Sequence, residues 1–374
     1  MKKFVVFIFM FFVLGSNAFA LSSKSSILVE YSTGEILVDN NSLEKGAPAS
    51  MTKIMTLLLI MESVDNGKIK LTDKVTISSN ASSMGGSQVF LQPSEQISVE
   101  ELIKSICIAS ANDAAVAMAE YVAGSEEKFI ELMNKKAKEL GAKNTNFVNV
   151  HGLDNENHYS CAYDMSLFAK ELLNHDTILK YTSTYEDYLK KNDGSSIWLV
   201  NTNKLIKYYT GLDGLKTGFT SNAGYCLTAT ALRNGMRLIS VVMGSETSEG
   251  RSNDTIELLD YGFNNYKLNI IFDKDINLGS IKVKNGKVDE VKLKRVSDVV
   301  DLNSINDEFK YDYKLNIKEI KAPVNVGDVV GKLNLYRDGK KIKSYDITVN
   351  ESVKRANIWD YYKKNFKYLV SGNV

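Results

Sequence analysis

The stretch Leu215-Lys-Thr-Gly-Phe-Thr-Ser-Asn-Ala-Gly-Tyr-Cys-Leu-Thr-Ala-Thr-Ala-Leu-Arg-Asn-Gly-Met-Arg-Leu-Ile-Ser-Val-Val-Met243 decides the fold of this chain. Three apolar runs, Leu215 to Phe219, Tyr225 to Ala231 and Met236 to Met243, are parted by Ser221-Asn222-Ala223-Gly224 and Arg233-Asn234-Gly235. Turn clusters between strand-forming runs predict a three-stranded antiparallel meander. Far upstream, Ser26 to Glu30 and Glu35 to Asp39 flank Ser32-Thr33-Gly34 and read as a β-hairpin. About five strands with a block of helices, one of them over about Asn253 to Tyr261, make the fold class α+β.

Two helical segments before the meander matter for chemistry. Met51 to Glu62 contains neither Gly nor Pro and is long enough for a buried helix, with Ser50 at its N-terminal end. Ser98-x-x-Glu101 is a capping box, and Ile97 with Leu102 are placed as its hydrophobic staple, so a second helix starts at Ser98. That helix runs into Ala109-Ser110-Ala111-Asn112-Asp113, where Asn112 is positioned to cap a third helix, Ala114 to Val122. Ser110 and Asn112 therefore fall on a helix–helix corner.

Around this core, expected to span residues 21–265, the texture differs. Met1-Lys2-Lys3, the apolar run Phe4 to Leu14 and Ala18-Phe19-Ala20 read as a secretory signal, residues 1–20, cleaved after Ala20. The apolar run is shorter than the roughly 20 residues a membrane span needs. On this reading the protein is exported and works at the outer face of the cytoplasmic membrane or in the cell-wall space. From about Tyr266, short alternating runs such as Ile281 to Lys284, Val288 to Lys292 and Lys341 to Thr348, with turns at Asn285-Gly286 and Asp338-Gly339, predict a small all-β domain over residues 266–351. It carries no cluster of catalytic residue types, which points to binding or spacing.

In the last segment, residues 352–374, Ile358, Trp359, Tyr362, Phe366, Leu369 and Val370 share one helical face, and Asp360, Lys363, Lys364 and Lys367 the other. A basic, aromatic amphipathic helix suits an anionic membrane surface, and packing against a protein produces the same stripe.

Composition narrows the function classes. The 374 residues, 44% hydrophobic and 24% charged, exclude a disordered, collagen-like or multi-span membrane protein. Lys+Arg 46 against Asp+Glu 45 gives +1, and losing Lys2 and Lys3 takes it to −1, so no global field draws nucleic acid. Cys107, Cys161 and Cys226 form no CxxC pair and lie among apolar or small residues. They read as buried hydrophobes, with no disulfide framework, metal site or cofactor implied.

Ser50-Met51-Thr52-Lys53 places an amine one helical turn from a hydroxyl, so Lys53 can reach and activate Ser50. Alone the motif says little, since SxxK also occurs at Ser42 and Ser125 and SxN at Ser78, Ser110, Ser304 and Ser371. The combination and order are specific: SxxK on a buried helix, Ser110-Ala111-Asn112 at a helix corner, then Lys216-Thr217-Gly218 on a strand. This is the motif set of penicillin-binding proteins and class A β-lactamases.

The chain resembles the low-molecular-mass penicillin-binding proteins, serine-type D-Ala-D-Ala carboxypeptidases of peptidase family S11. The likeness covers the signal, Ala49 to Thr56, Ala109 to Ala114, His151-Gly152-Leu153, Gly211 to Gly218, and more loosely the β domain and the amphipathic tail. It implies a β-lactamase/transpeptidase-like fold, cleavage of stem peptides ending in D-Ala-D-Ala through a Ser50 acyl-enzyme, and covalent inhibition by β-lactams. By the resemblance, Ser110 and Asn112 relay a proton to the leaving amine and hold the substrate amide. Lys216 and Thr217 would meet the terminal carboxylate, Gly218 would let the substrate pair with the strand edge, and the N–H groups of Ser50 and Phe219 would form the oxyanion hole.

Two positions depart from the pattern. Asn201-Thr202-Asn203 stands where some relatives have Asn-Arg-Asn, which leaves Arg251 as the arginine able to reach a carboxylate. Cys161 stands where relatives commonly have Thr, so the helix that starts there is expected to lack its hydroxyl cap.

Rival readings fare less well. His151, His158 and His175 are the chain's histidines, and without a Gly-x-Ser-x-Gly elbow they suit no Ser-His-Asp triad; His151 and His158 read as structural or rim residues of a polar loop. A β-lactamase needs a dedicated Glu-positioned water and has no use for the β domain or tail. A DD-endopeptidase uses the same residues on cross-links, and a non-catalytic wall scaffold would not need them intact.

Overall fold

The structure is a computed structural model and describes residues 21–370, apart from 192, 193, 274 and 296. The proposed signal lies outside the described residues, as do the side chains of Lys364, Lys367, Leu369 and Val370.

The chain opens with β1 (Ser25–Glu30) and β2 (Ile36–Asn40), a hairpin whose turn is held by Glu30, which accepts from the N–H groups of Ser32 and Thr33. A 3-10 turn, Ala49–Thr52, leads into α1 (Lys53–Asp65), buried from Lys53 through Met61. The expected single helix from Met51 is thus a 3-10 entry followed by an α-helix. Next come β3 (Lys74–Thr76), α2 (Ser79–Ser82), β4 (Gln96–Ser98), α3 (Val99–Ala109), α4 (Asn112–Ala123), α5 (Glu126–Glu139), α6 (Ala162–Leu172) and α7 (Ile178–Thr182). A hairpin, β5 (Glu186–Lys190) with β6 (Ser196–Val200), and α8 (Leu205–Tyr208) precede the meander β7 (Leu212–Thr220), β8 (Gly224–Arg233) and β9 (Met236–Ser245). Helix α9 follows over Ser248–Asn265.

The main sheet has the order β2-β1-β9-β8-β7, which leaves β7, the strand carrying Lys216-Thr217-Gly218, at an edge. An edge strand offers unpaired backbone groups to an extended peptide.

Contact clustering gives two compact units. Of the described residues, the first contains those up to Ile27, Asp39–Ala229 and Ser240–Leu258, and the second contains Leu28–Val38, Thr230–Ile239 and those from Leu259 onward. The second holds the all-β domain: β10 (Tyr266–Phe272), β11 (Ser280–Lys284), β12 (Glu290–Arg295), β13 (Val299–Ser304), β14 (Tyr311–Ile317), β15 (Ile320–Lys321), β16 (Val329–Arg337) and β17 (Lys340–Val349). Strand β10 pairs with β13, and a six-stranded sheet runs β14-β16-β17-β12-β11-β15 over a core that includes Leu333, Leu335 and Ile347. Asp338-Gly339 joins β16 to β17 with φ of 47° and 77°, the left-handed pair a two-residue hairpin requires.

The tail is a short helix, α10 (Ile358–Val370), started by a reciprocal cap: Asn357 Oδ1 accepts from Asp360 N–H, and Asp360 Oδ2 accepts from Asn357 N–H, both at 2.9 Å. Ile358 is 85% exposed and Trp359 71%. Trp359 meets Tyr362 edge-on, and Tyr362 stacks on Phe366, so a described aromatic stripe faces solvent.

Candidate active site

Ser50 stands on a strained turn. Ala49 adopts a left-handed conformation, φ 48°, which an L-residue disfavours. Thr52 Oγ1 donates to the Ala49 carbonyl at 2.8 Å and meets His158 Nε2 at 2.7 Å. Since Thr52 spends its one hydroxyl proton on Ala49, His158 must carry its proton on Nε2, which leaves Nδ1 to accept from Val148 N–H at 3.1 Å. Gly152, φ 91°, packs so closely that a Cβ there would stand 1.8 Å from the Ala49 carbonyl oxygen. A side chain at 152 would displace the turn.

One residue further, Lys53 begins α1 with no exposed surface. Its Nζ lies 3.0 Å from Ser50 Oγ, 2.6 Å from Asn112 Oδ1 and 2.8 Å from the His151 carbonyl. Burial and then the nearby Lys216 charge hold the Lys53 ammonium well below its ordinary pKa, against a smaller opposing pull from Asp113. A neutral amine fits these three partners: its two N–H bonds go to Asn112 and His151, and its lone pair is left for the Ser50 hydroxyl proton.

Asn112 is the first residue of α4, not its cap; Ala111 holds the cap position without a side-chain bond. The Asn112 amide instead ties three segments together. Oδ1 accepts from Lys53, Nδ2 donates to the Gly85 carbonyl at 2.7 Å, and its backbone N–H donates to the Ser87 carbonyl at 2.7 Å. Asp113 anchors the same loop, its carboxylate accepting from the N–H groups of Val89, Leu91 and Ala114. Ser110 ends α3 in the left-handed region, φ 63°, 3% exposed. Upstream, the Ser98 cap accepts from Glu101 N–H as read from the sequence, but the Glu101 carboxylate turns to Lys104 and to the Lys190 N–H. The capping box is therefore half formed.

On β7, Lys216 is 1% exposed, and burial, aided by Arg251, pushes its ammonium down to about 7. Thr217 Oγ1 donates to Thr202 Oγ1 at 2.7 Å, so the threonine standing in for arginine in Asn201-Thr202-Asn203 touches the strand motif itself. A Cβ on Gly218 would stand 2.8 Å from the Pro48 carbonyl oxygen and 3.2 Å from Ser50 N. The glycine is needed for the strand to pass the nucleophile's turn, a reason different from the substrate pairing expected of it. Phe219 is 54% exposed and packs tilted against Tyr225. Arg251 on α9 is buried, with Nη2 donating to Ser248 Oγ at 3.1 Å and Nε without a partner among the described residues.

Ser50, Lys53 and Asn112 are thus linked by direct hydrogen bonds through Lys53, Lys216 acts on Lys53 through its charge and Arg251 on Lys216, and Ser110 occupies the buried corner two residues before Asn112. One expectation narrows to its structural alternative and another is corrected. His151 and His158 are buried, at 7% and 4% exposure, and burial pushes their imidazoles down to about 3 and about 4. They are neutral internal struts, not rim residues. Cys161 does cap its helix: Sγ accepts from Asp164 N–H at 3.4 Å.

Asp113, the Gly85–Leu91 loop and the His151 carbonyl went unread in the sequence; a carboxylate directly after the SxN motif and the Gly85-Gly86 pair were the available signals. A cavity of about 450 Å³ lies by Lys45, Gly46, Tyr159 and Ala223 and contains none of the motif residues. Among the described residues no cluster of metal-binding side chains occurs.

The comparisons with known proteins agree with this geometry. Residues 14–247 match the family model described as D-alanyl-D-alanine carboxypeptidase, and residues 266–355 match that of the penicillin-binding protein 5 C-terminal domain. The chain is 47% identical over 352 residues to the D-alanyl-D-alanine carboxypeptidase DacF of Bacillus subtilis, covering 93% of this chain and 90% of that one. It is 36% identical to DacA of Escherichia coli K12, covering 93% and 89%. Penicillin-binding protein 5 from Haemophilus influenzae superposes with a TM-score of 0.72 at 35% identity, over 91% of this chain and all of that one. Penicillin-binding protein D2 from Listeria monocytogenes, solved in an ampicillin-bound form, gives 0.60 at 33% identity over 66% of this chain and 99% of its own.

Proposed function

The chain belongs to the D-alanyl-D-alanine carboxypeptidase family, and from that premise we propose that Ser50 is the nucleophile with which it removes the terminal D-alanine of wall stem peptides. The observation that carries this assignment is the fully buried Lys53 amine, 3.0 Å from Ser50 Oγ, with both its N–H bonds taken up by Asn112 and the His151 carbonyl. The protein is a serine-type D-Ala-D-Ala carboxypeptidase and a penicillin-binding protein.

In the acylation step the Oγ–C bond forms as the Ser50 proton passes to Lys53 Nζ, and the negative charge builds on the former carbonyl oxygen. The N–H groups of Ser50 and Phe219 face that charge, with the start of the helix contributing its dipole. The C–N bond then breaks, the proton goes to the leaving amine by way of Ser110, and D-alanine departs. Water attacks the remaining ester with Lys53 again taking the proton. Lys216, Thr217 and Arg251 hold the substrate's terminal carboxylate, and a β-lactam acylates Ser50 in the stem peptide's place.

We assign residues 1–20 to an export signal, residues 21–265 to the catalytic domain, residues 266–351 to the β domain and residues 352–374 to a membrane-lying helix. The exposed stripe of Ile358, Trp359, Tyr362 and Phe366 supports the last assignment. No described helix is long and apolar enough to cross a membrane.

The test is D-alanine release from a stem pentapeptide by the purified protein and its Ser50→Ala variant. Release by the parent alone is expected. Cleavage of cross-linked dimers to monomeric stem peptides without D-alanine release from the pentapeptide would reassign the enzyme as an endopeptidase, and cleavage of neither substrate would favour a scaffold. Sedimentation with anionic vesicles, lost on truncation after Glu351, checks the tail.

A further inference from the structure

The Phe219 side chain has no part in the chemistry above, which uses only its N–H. Yet the ring is 54% exposed and packs tilted against the half-buried Tyr225, with centroids 4.3 Å apart and planes at 33°. Such an aromatic pair presents an apolar surface.

Its location follows from strand geometry. Successive side chains on β7 alternate between faces. Gly218 is turned toward the Ser50 turn, so Thr217 and Phe219 share the opposite face. Thr228 on β8 faces Met51, donating to its Sδ at 3.2 Å, and Tyr225, an odd number of residues away, lies on the other face with Phe219. Arg251 interacts electrostatically with Cys226 and, less strongly, with Tyr225, neighbours on β8 that point to opposite faces, so it lies near this end of β8 without belonging to one face. Thr217 and Arg251 are two of the groups assigned to the terminal carboxylate. The side chain of the leaving residue branches from the carbon that bears that carboxylate, so it lies one bond from the group Thr217 meets, on the face that carries the two rings.

We propose that the Phe219–Tyr225 pair is the apolar wall of the leaving-residue subsite and sets the enzyme's preference there, admitting C-terminal D-residues with apolar side chains larger than that of alanine and discriminating against glycine. The inference rests on the Ser50 carboxypeptidase reading. Contact with one or two added methylenes distinguishes substrates by about 10- to 200-fold.

Three synthetic stem peptides identical up to the penultimate D-alanine, and ending in glycine, D-alanine or D-leucine, test the proposal through kcat/KM for release of the last residue. The parent is expected to cleave the D-leucine peptide at least as well as the D-alanine peptide, and the glycine peptide about tenfold less well. Phe219→Ala is expected to reduce the D-leucine to glycine ratio by about tenfold, Tyr225→Ala by less, and Phe219→Tyr to keep it. Phe219→Leu, with an intermediate ratio, serves should the alanine variant fail to fold, as judged by thermal unfolding. An unchanged ratio in the folded Phe219 variants, or a parent that cleaves D-alanine but not D-leucine, overturns the proposal and leaves the Ser50 reading standing. A parent that releases nothing from any peptide overturns both.

Discussion

Lys53 in the catalytic unit and Arg295 in the β domain are both fully buried cations that burial disfavours, and they differ in what stands beside them. In the catalytic unit, Lys53 has no exposed surface, three polar partners and a second cation nearby, and its environment disfavours the charge. In the β domain, Arg295 at the end of β12 is 1% exposed and donates Nη1 to the Phe272 carbonyl at 3.1 Å, while Nε and Nη2 have no partner among the described residues. Burial pulls its guanidinium below its ordinary pKa, and the charges of aspartates 298, 273 and 275 offset only part of this. A lysine in conflict with its surroundings can shed its proton and become a base; a guanidinium cannot. Burial of a cation becomes chemistry only where the group can titrate and a hydroxyl is within reach.

The comparison breaks most visibly if the titratable group is exchanged for the fixed one. Lys53→Arg keeps the charge near Ser50 but supplies no base, and kcat/KM for D-alanine release should fall by about a thousandfold or more, as loss of a catalytic base does elsewhere. Steady-state kinetics with circular dichroism as the folding check decide it. A variant keeping a tenth of parental activity would remove Lys53 from the base role.

The pH profile sharpens the same point. Activity requires Lys53 neutral and Lys216 charged, so the two amines titrate as a pair. As pH falls, protonation of Lys53 removes the base and gives the acid limb. As pH rises past the Lys216 ammonium, pushed down to about 7, the carboxylate loses its counter-charge and kcat/KM declines about tenfold per pH unit. Bound carboxylate raises that ammonium's pKa, so the alkaline limb of kcat lies above that of kcat/KM. Lys216→Arg should abolish the alkaline limb, and a profile in which it persists would assign the limb elsewhere.

How much of this was legible follows from the range of the interactions. The hairpin, the meander and the β domain were readable because strand alternation and turn residues such as Asn234-Gly235 and Asp338-Gly339 are local signals. So was the Ser50–Lys53 pair, one helical turn apart. What escaped was set by contacts distant in sequence: His151 delivering a carbonyl to Lys53, Asp113 fixing Val89 and Leu91, and Gly218 clearing Pro48. The half-formed box at Ser98 failed for the same reason, because Lys104 and the Lys190 N–H, not the local backbone, claimed Glu101. No periodicity encodes such partners.

For the other buried cation the expected sign reverses. Replacing Arg295 by Met fills similar space without the two donors that lack partners among the described residues, at the loss of the bond to the Phe272 carbonyl, and the exchange is expected to be neutral or mildly stabilising, by up to about 1 kcal/mol. Denaturant unfolding of the β domain measures it. Destabilisation by more than about 1 kcal/mol would mean that the aspartates make the guanidinium a net asset, and the contrast with Lys53 would narrow to protonation alone.

The smallest effect probes the principle on a neutral group. Cys161 caps α6 through sulfur, 3.4 Å from Asp164 N–H, and burial pushes its thiol up to about 11, so the acceptor is a neutral thiol and not a thiolate. A neutral sulfur accepts weakly, whereas a hydroxyl oxygen at a helix start satisfies an otherwise orphan donor well. Cys161→Thr is therefore expected to raise stability by a few tenths to about 1 kcal/mol, and Cys161→Ala to lower it by about 0.5–1 kcal/mol. Thermal unfolding of the two variants reads both signs, and catalysis should follow neither. If alanine proved as stable as cysteine, the sulfur would be filling space without capping; if threonine proved worse, the pocket would be shaped for sulfur and the thiol would hold its position by volume.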